Sequence, residues 1–243
     1  MAAASATVPD VRILDRDPMR IVRAPFEVRH RAALRNLLRV VEPGPEALAR
    51  YLSQRGGYPW EIGLRTPTGR VRATLYSRHD LLTVNEVFCR GDYGFQAPRL
   101  IVDVGANIGL ATLFWLSRRP DAKVYCYEPD PVNVERLRRT LRGYEDRYVL
   151  AQAAVGAVAG RARFAADGRY GKLSETGELE VEVVALAPEI ARIEAAEGRR
   201  VDLLKIDTEG SERELVAALG SSRRPEVVWE DNAGLVRREP ALH

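Results

Sequence analysis

The residues best suited to bind a small molecule lie in two segments. In the first, the apolar run Leu100–Val104 contains Asp103 and ends at Gly105, and a helical pattern follows Gly109. A strand, a tight turn and a helix form a unit that binds a nucleotide at the helix N-terminus. The two glycines let the backbone approach a ligand closely. The Asp103 carboxylate, held beneath the turn, could meet a cationic group of that ligand.

This turn does not match two familiar phosphate-binding loops. A G-x-G-x-x-G dinucleotide fingerprint would need glycine at positions 107 and 110, where the chain has Asn107 and Leu110, and no Gly-Lys-Ser/Thr of a P-loop follows. An NAD-dependent oxidoreductase is therefore disfavoured. A tight strand-to-helix turn that binds no ligand remains an alternative.

The second segment, Lys123–Asp130, has the pattern of a short strand that ends in Glu128. A βαβ unit places an acid about 20 residues beyond its turn, where the carboxylate accepts the hydroxyls of a ribose. The alternative is an acid favoured by the dipole at a helix N-terminus. The two segments together predict a nucleoside-binding site.

Alternating patterns in the second half of the chain predict a parallel sheet with helices on both faces. Such sheets bind ligands beyond the carboxyl ends of their strands, where the strand order reverses. The predicted strands are 100–105, 123–128, 147–153, 201–206 and 225–230, and the predicted helices are 109–118, 131–142, 187–197 and 211–219.

A flexible tail (1–20) and an N-terminal cap (21–95) are predicted to precede the sheet domain (96–243). Two helices, a hairpin and a short helix make up the predicted cap. Their expected ranges are 30–41, 46–54, 60–65 with 71–77, and 80–89. Strands 161–166 and 179–184 flank a long polar loop, which is expected to act as a lid over the acceptor.

Three motifs resemble the FkbM family of S-adenosylmethionine-dependent methyltransferases. They are Val102–Gly109, Tyr127–Pro129 and Leu203–Gly210, and the resemblance extends over roughly residues 80–231. It implies an α/β, Rossmann-like methyltransferase sheet and S-adenosylmethionine as cofactor. No pattern indicates the sixth strand or the antiparallel seventh strand of the usual methyltransferase sheet. The sheet is therefore expected to end early, or to have its edge covered by the cap or by a second subunit.

The resemblance also implies roles for individual residues around the cofactor. The turn would line its methionine part, Asp103 would anchor its ammonium group directly or through water, and Glu128 would hold the ribose. Glu86 and Tyr93 match an acid and a tyrosine beside the family's cofactor cleft, although a solvated acid and a packing residue are equally good interpretations. The cofactor-binding residues expected on this basis are Glu86, Tyr93, Asp103, Gly105, Ala106, Asn107, Gly109, Glu128, Pro129, and, beside the adenine, Gln152 and Ala153.

Acids at the ends of the last two parallel strands are the expected catalytic groups. Asp207 and Glu209 would border the acceptor, where a hydroxyl must lose its proton to a base or to a metal. Asp207 with Asp231 and Asn232 resembles the divalent-metal site of cation-dependent O-methyltransferases, and oxygen ligands suit Mg²⁺. The alternative is that these residues cap a helix and form a turn.

The acceptor is expected to be a hydroxyl of a small molecule, namely a sugar, a polyketide or another secondary metabolite. No Asn-Pro-Pro-Tyr or Asp-Pro-Pro-Tyr stretch, which holds an acceptor nitrogen in other methyltransferases, is present. Two alternatives share the cofactor site. One is a methyltransferase that acts on RNA or protein, and the other is a cofactor-binding subunit without catalysis.

Composition restricts the partners and the compartment. The 37 basic residues exceed the 34 acidic ones by three, and no element combines its arginines with interleaved aromatic residues, so nucleic-acid binding is not favoured. Two cysteines, Cys89 and Cys126, fit a reduced cytoplasmic protein. No apolar run is long enough for a membrane span, and the start of the chain lacks the features of a signal peptide.

Overall fold

The computed structural model describes residues 28–94, 98–166, 171–173, 177–208, 210–220, 225–230 and 236–241. The predicted tail, 1–20, lies outside the described residues. Within them, no helix combines the length and the apolar character needed to cross a bilayer.

The N-terminal part contains helices and a hairpin, as predicted. Its elements are α1 (Val28–Val40), β1 (Val41–Glu42), α2 (Gly44–Ser53), β2 (Trp60–Thr66), β3 (Gly69–Leu75) and α3 (Arg78–Val84). The side chain of Ser77 and that of Asp80 form a reciprocal capping box at the start of α3. The predicted helix 80–89 is only partly α-helical, because its second half is a π-helix, Asn85–Arg90.

The next elements alternate between strand and helix. They are β4 (Leu100–Val104), α4 (Leu110–Leu116), β5 (Lys123–Tyr127), α5 (Pro131–Thr140), a 3₁₀ turn (Glu145–Arg147) and β6 (Tyr148–Ala151). Every residue of β4 is buried, as its apolar run predicts. Asp130 caps α5 by accepting from the Val132 N–H at 2.8 Å, and Pro131 occupies the first turn of that helix.

A separate four-stranded sheet interrupts this alternation. It contains β7 (Ala154–Gly156), β8 (Gly160–Ala166), β9 (Gly171–Leu173) and β10 (Leu179–Ala185), in the order β7-β10-β8-β9. The predicted strands 161–166 and 179–184 are thus confirmed, and they pair in antiparallel fashion. The expected lid contains β9, whereas residues 167–170 and 174–176 lie outside the described residues, so its role stays a prediction.

The chain then returns to the main sheet. The remaining elements are α6 (Leu186–Glu197), β11 (Leu203–Ile206), α7 (Glu212–Ala218), β12 (Glu226–Glu230) and β13 (Val236–Glu239). The main sheet has the order β13-β12-β11-β4-β5-β6, and all its pairs are parallel except β12 with β13. The strand order therefore reverses between β4 and β11, which is where such a sheet binds its ligand.

The antiparallel strand β13 corrects the expectation that the sheet lacks one. Its four residues, Val-Arg-Arg-Glu, pair with β12. Glu239 lies opposite Val227 at one end of the pairing, and Val236 lies opposite Glu230 at the other. Three of the four are charged, as is typical of an edge strand that avoids pairing with other chains. So short and polar a segment carries little of the apolar alternation by which strands are predicted.

Two hydrophobic clusters lie on the two faces of the main sheet. The first joins Ile101 and Val124 to α4, to α5 and to the N-terminal helices and hairpin. The second joins Val102 and Tyr125 to α6 and α7. The expected α/β, Rossmann-like sheet with helices on both faces is therefore confirmed, and the N-terminal elements share the core of its first face.

Arg147 connects the end of α4 to β5. Its guanidinium donates to the carbonyls of Leu116, Arg119 and Ala122 at 2.6–3.2 Å. Carbonyls at a helix end lack partners within the helix. We expect Arg147→Met to lower the free energy of unfolding by about 1–3 kcal/mol, since these carbonyls lose their donor. Urea denaturation would measure the loss, with exposed Arg142→Met as the control, and an equal loss in both variants would contradict this role.

Candidate active site

The turn after β4 lies between β5 and the segment that follows β11. The N–H groups of Gly105 and Ala106 both donate to the Tyr127 carbonyl at 3.0 Å. Gly105 has φ +75°, and a Cβ on it would lie 1.9 Å from the carbonyl oxygen of Asp207. Only glycine fits this position. Asn107 also adopts a positive φ, 49°, and its side chain is exposed at the tip of the turn.

Glu128 lies directly beside this turn at the end of β5. One carboxylate oxygen accepts from the Asn107 N–H at 2.8 Å, and the other accepts from the Asp130 N–H at 3.0 Å. The residue is only 5% exposed. Burial raises the pKa of Glu128 to about 7, even though both N–H groups favour the ionised form. Each oxygen keeps a further lone pair with which it could accept from a ligand hydroxyl.

Three side chains form a buried polar row beneath the turn. Cys126, Asp103 and Lys205 are register partners on neighbouring strands. The Lys205 ammonium lies 3.1 Å from Asp103 Oδ1 as an ion pair and donates to the Gly105 carbonyl at 2.6 Å. The Thr112 hydroxyl donates to Asp103 Oδ2 at 2.7 Å. Asp103 has no exposed surface, so its partners are all internal.

Asp207 is the partly exposed carboxylate of this region. Its Oδ2 lies 3.5 Å from the Lys205 ammonium and accepts from the Tyr93 hydroxyl at 3.4 Å, and its side chain is 36% exposed. Burial alone would lower the pKa of Lys205, but Asp103 and Asp207 outweigh it, and the pKa is raised. Lys205 therefore stays an ammonium ion between two carboxylates.

Glu86 lies on the π-helix that leads to Tyr93. Its side chain is 41% exposed and lies 3.6 Å from the Arg90 guanidinium, which also binds Asp92. Tyr93 contacts the candidate site through Asp207, whereas Glu86 is held in an ion pair on its own helix. A role for Glu86 beside the cofactor stays a prediction.

The other expected cofactor residues surround the turn and the end of β6. Gly109 precedes α4, and a Cβ there would lie 3.0 Å from Leu137 Cγ, which shows how closely α4 and α5 approach. Pro129 is half-buried, Gln152 is exposed and Ala153 is buried. Gln152 and Ala153 follow β6, which pairs with β5, so they lie at the same edge of the sheet as Glu128.

Three expected residues, Glu209, Asp231 and Asn232, lie outside the described residues. Asp207 is thus the one described member of both the catalytic and the metal predictions. Within the ranges that the structure covers, no three His, Cys, Asp or Glu side chains are grouped as a metal site would require. The magnesium site stays a prediction.

Two features of the site were not predicted from the sequence. The first is Lys205, which could have been found as a charged residue within the otherwise apolar, buried strand Leu203–Ile206. Glu212 caps the segment after β11 by accepting from the N–H groups of Thr208 and Gly210 at 2.9–3.0 Å. The sequence analysis gave capping by Asp207 as an alternative, but in the structure Asp207 contacts Lys205 and Tyr93.

The contact between Gly105 and Asp207 gives a test of the turn. Gly105→Ala combines a positive φ with a collision against backbone, so we expect it to lower the free energy of unfolding by about 2–5 kcal/mol. Gly143→Ala is the matched control, because Gly143 also has a positive φ, +91°, but no atom of the described residues lies within 4 Å of its Cβ position. Urea denaturation of both variants separates the collision from the backbone strain. Equal losses would mean that the collision costs nothing.

Comparison with known proteins gives a family match and several partial relatives. The match is to the methyltransferase FkbM domain, over residues 103–237. The 31-O-demethyl-FK506 methyltransferase FkbM of Streptomyces tacrolimicus is 27% identical over 205 residues, which cover 68% of this chain and 78% of that protein. Methyltransferase 1 of Beauveria bassiana is 26% identical over 152 residues, which cover 51% of this chain and 60% of that protein.

A third relative is much larger than this chain. The AMB antimetabolite synthetase AmbE of Pseudomonas aeruginosa is 38% identical over 65 residues, which cover 27% of this chain and 3% of that protein. The chain thus spans less than two thirds of two of the three relatives. The family match, in contrast, covers more than half of the 243 residues. The chain therefore belongs to the FkbM methyltransferase family.

Proposed function

We propose that this chain transfers a methyl group from S-adenosylmethionine to a hydroxyl oxygen of a small molecule, namely a sugar, a polyketide or another secondary metabolite. The observation that carries the proposal is the carboxylate of Glu128, fixed by two backbone N–H groups beside a glycine turn at the reversal point of the sheet. The name of the Streptomyces relative refers to an O-demethyl compound, which supports oxygen as the acceptor atom.

The residues around the turn fit a nucleoside with an amino-acid tail. The absence of a Cβ at Gly105 brings the turn against the backbone of Asp207, and the ends of β4, β5 and β11 converge there. Glu128 would accept the ribose hydroxyls, and Gln152 and Ala153 would flank the adenine. The turn from Gly105 to Gly109 would line the methionine part.

When bound, the cofactor supplies a sulfonium methyl group that is already electrophilic. The protein has to hold the acceptor oxygen in line with that methyl, to exclude water and to receive the hydroxyl proton. Positioning of this kind contributes about 7–11 kcal/mol. Methyl transfer would form the C–O bond as the C–S bond breaks, and the hydroxyl proton would pass to an acid after β11, Asp207 or Glu209.

The raised pKa of Glu128 predicts how cofactor affinity depends on pH. Ribose hydroxyls donate to the ionised carboxylate, whereas below about pH 7 the group is protonated in the free protein. Affinity for S-adenosylhomocysteine should therefore rise between pH 6 and 8, with a slope below the pKa approaching about tenfold per pH unit. Calorimetric titration across this range would measure it.

Glu128→Gln and Glu128→Ala make this prediction specific. The amide has no titrating proton, so Glu128→Gln should flatten the pH profile, and Glu128→Ala should weaken binding by about 1–3 kcal/mol at pH 8. Glu145→Gln is the matched control, because Glu145 binds the Gly143 N–H at 3.0 Å on the exposed surface, away from the turn. Absence of any binding to the unmodified protein would refute the cofactor assignment and leave the alternative of a family member without that cofactor.

Metal dependence separates two ways of activating the acceptor. A base at the end of β11 works without a cation, while a site of Asp207, Asp231 and Asn232 would need Mg²⁺. If the metal site exists, EDTA should abolish methyl transfer from labelled S-adenosylmethionine and added Mg²⁺ should restore it. Turnover that is unchanged by EDTA would assign the proton transfer to the carboxylates alone. The assay requires a panel of hydroxylated small molecules, with RNA and protein acceptors as the competing classes.

A further inference from the structure

The Lys205 ammonium lies beside Asp103 beneath the turn, where the sequence analysis predicts a cationic group of a ligand. Its side chain is 3% exposed, and its ammonium faces three acceptors. These are the Gly105 carbonyl at 2.6 Å, Asp103 Oδ1 at 3.1 Å and Asp207 Oδ2 at 3.5 Å. The contact with the Gly105 carbonyl is a hydrogen bond, and the contacts with the two carboxylates are ion pairs.

Asp103 is therefore already paired inside the protein. One of its oxygens faces Lys205, the other accepts from Thr112, and none of its surface is exposed. A second ammonium group could reach Asp103 only by entering the buried row next to Lys205. Like charges that lie this close together in a buried site repel strongly.

Asp207 differs from Asp103 in both exposure and charge balance. Its side chain is 36% exposed, and its contact with Lys205 is the longest of the three. Counted as ions, two carboxylates and one ammonium leave the group of Asp103, Lys205 and Asp207 with one net negative charge. That charge matches a single ammonium group supplied by a ligand.

We propose that Asp207, rather than Asp103, receives the ammonium group of the cofactor, and that Lys205 is the internal counter-ion that removes Asp103 and the Gly105 carbonyl from ligand binding. This inference rests on the proposed function. It assigns Asp207 to the cofactor rather than to the acceptor. Tyr93, which donates to Asp207 at 3.4 Å, is then a positioning residue for the cofactor.

The test compares two ligands that differ only in the ammonium group. S-adenosylhomocysteine and its desamino analogue are titrated calorimetrically into the unmodified protein, where the ammonium should strengthen binding by about tenfold or more, the size of one charge-assisted hydrogen bond. Asp207→Asn should lose this preference and bind both ligands alike. The double variant Asp103→Asn with Lys205→Met removes a neutral pair, keeps one negative charge at Asp207 and should keep the preference.

Urea denaturation of each variant shows whether a loss of binding results from poor folding. Lys205→Met alone leaves Asp103 buried without a counter-ion, so its urea midpoint should fall well below that of the unmodified protein, and adding Asp103→Asn should restore part of the loss. Lys123→Met is the matched control. Lys123 also forms an ion pair, with Glu197 at 2.5 Å, but the Lys123 side chain is 37% exposed. Its midpoint should change little.

The outcomes separate the two proposals. If the unmodified protein binds both ligands equally, or if the preference is lost in the Asp103→Asn, Lys205→Met double variant, the assignment of the ammonium group to Asp207 is wrong although the cofactor is correct. If Asp207→Asn keeps the preference, the assignment is equally wrong. If the unmodified protein binds neither ligand, the proposed function fails, and this inference fails with it.

Discussion

The ion pair between Lys205 and Asp103 is the interaction on which the geometry of the site depends. It joins β11 to β4, the two strands between which the sheet order reverses. The pair is buried, and a buried charge without its partner is strongly unfavourable. Since side chains alternate between the faces of a strand, a shift of one residue would turn Lys205 into the apolar cluster around Leu204 and Ile206. We therefore expect the pair to specify which strands lie together and in which register.

The same pair fixes the turn above it. Lys205 holds the Gly105 carbonyl from below, and the backbone of Asp207 lies so close that Gly105 cannot carry a side chain. The turn is also tied to β5, because Tyr127 accepts from both Gly105 and Ala106. Three strands thus determine the position of one turn. A loop restrained from several sides loses little further conformational freedom when a ligand binds, which favours affinity.

Local signals explain what could be predicted from the sequence. The apolar runs at 100–104 and 123–127 are strands, and the acid at Glu128 lies next to the turn, because both features depend on nearby residues. The partner of Lys205 could not be predicted, since Asp103 is distant in sequence and adjacent only once the strand order is known. The short, charged β13 carries too little hydrophobic pattern to predict, and the capping by Glu212 depends on how the chain turns after β11.

The two buried acids of the site are compensated in different ways, and this difference bears on function. Asp103 has a cation and a hydroxyl as partners, so its charge is balanced within the protein. Among the described residues, Glu128 accepts from two backbone N–H groups, and its pKa is raised to about 7 because burial is not fully offset. Hydroxyl donors from a bound ribose would supply the stabilisation that Glu128 lacks in the free protein. A strongly perturbed acid in a cleft is typical of a functional site, whereas a balanced one such as Asp103 is typical of structure. By this criterion we propose Glu128 as a ligand contact and Asp103 as a structural residue, although both follow the same pattern of an acid at or near the end of a buried strand.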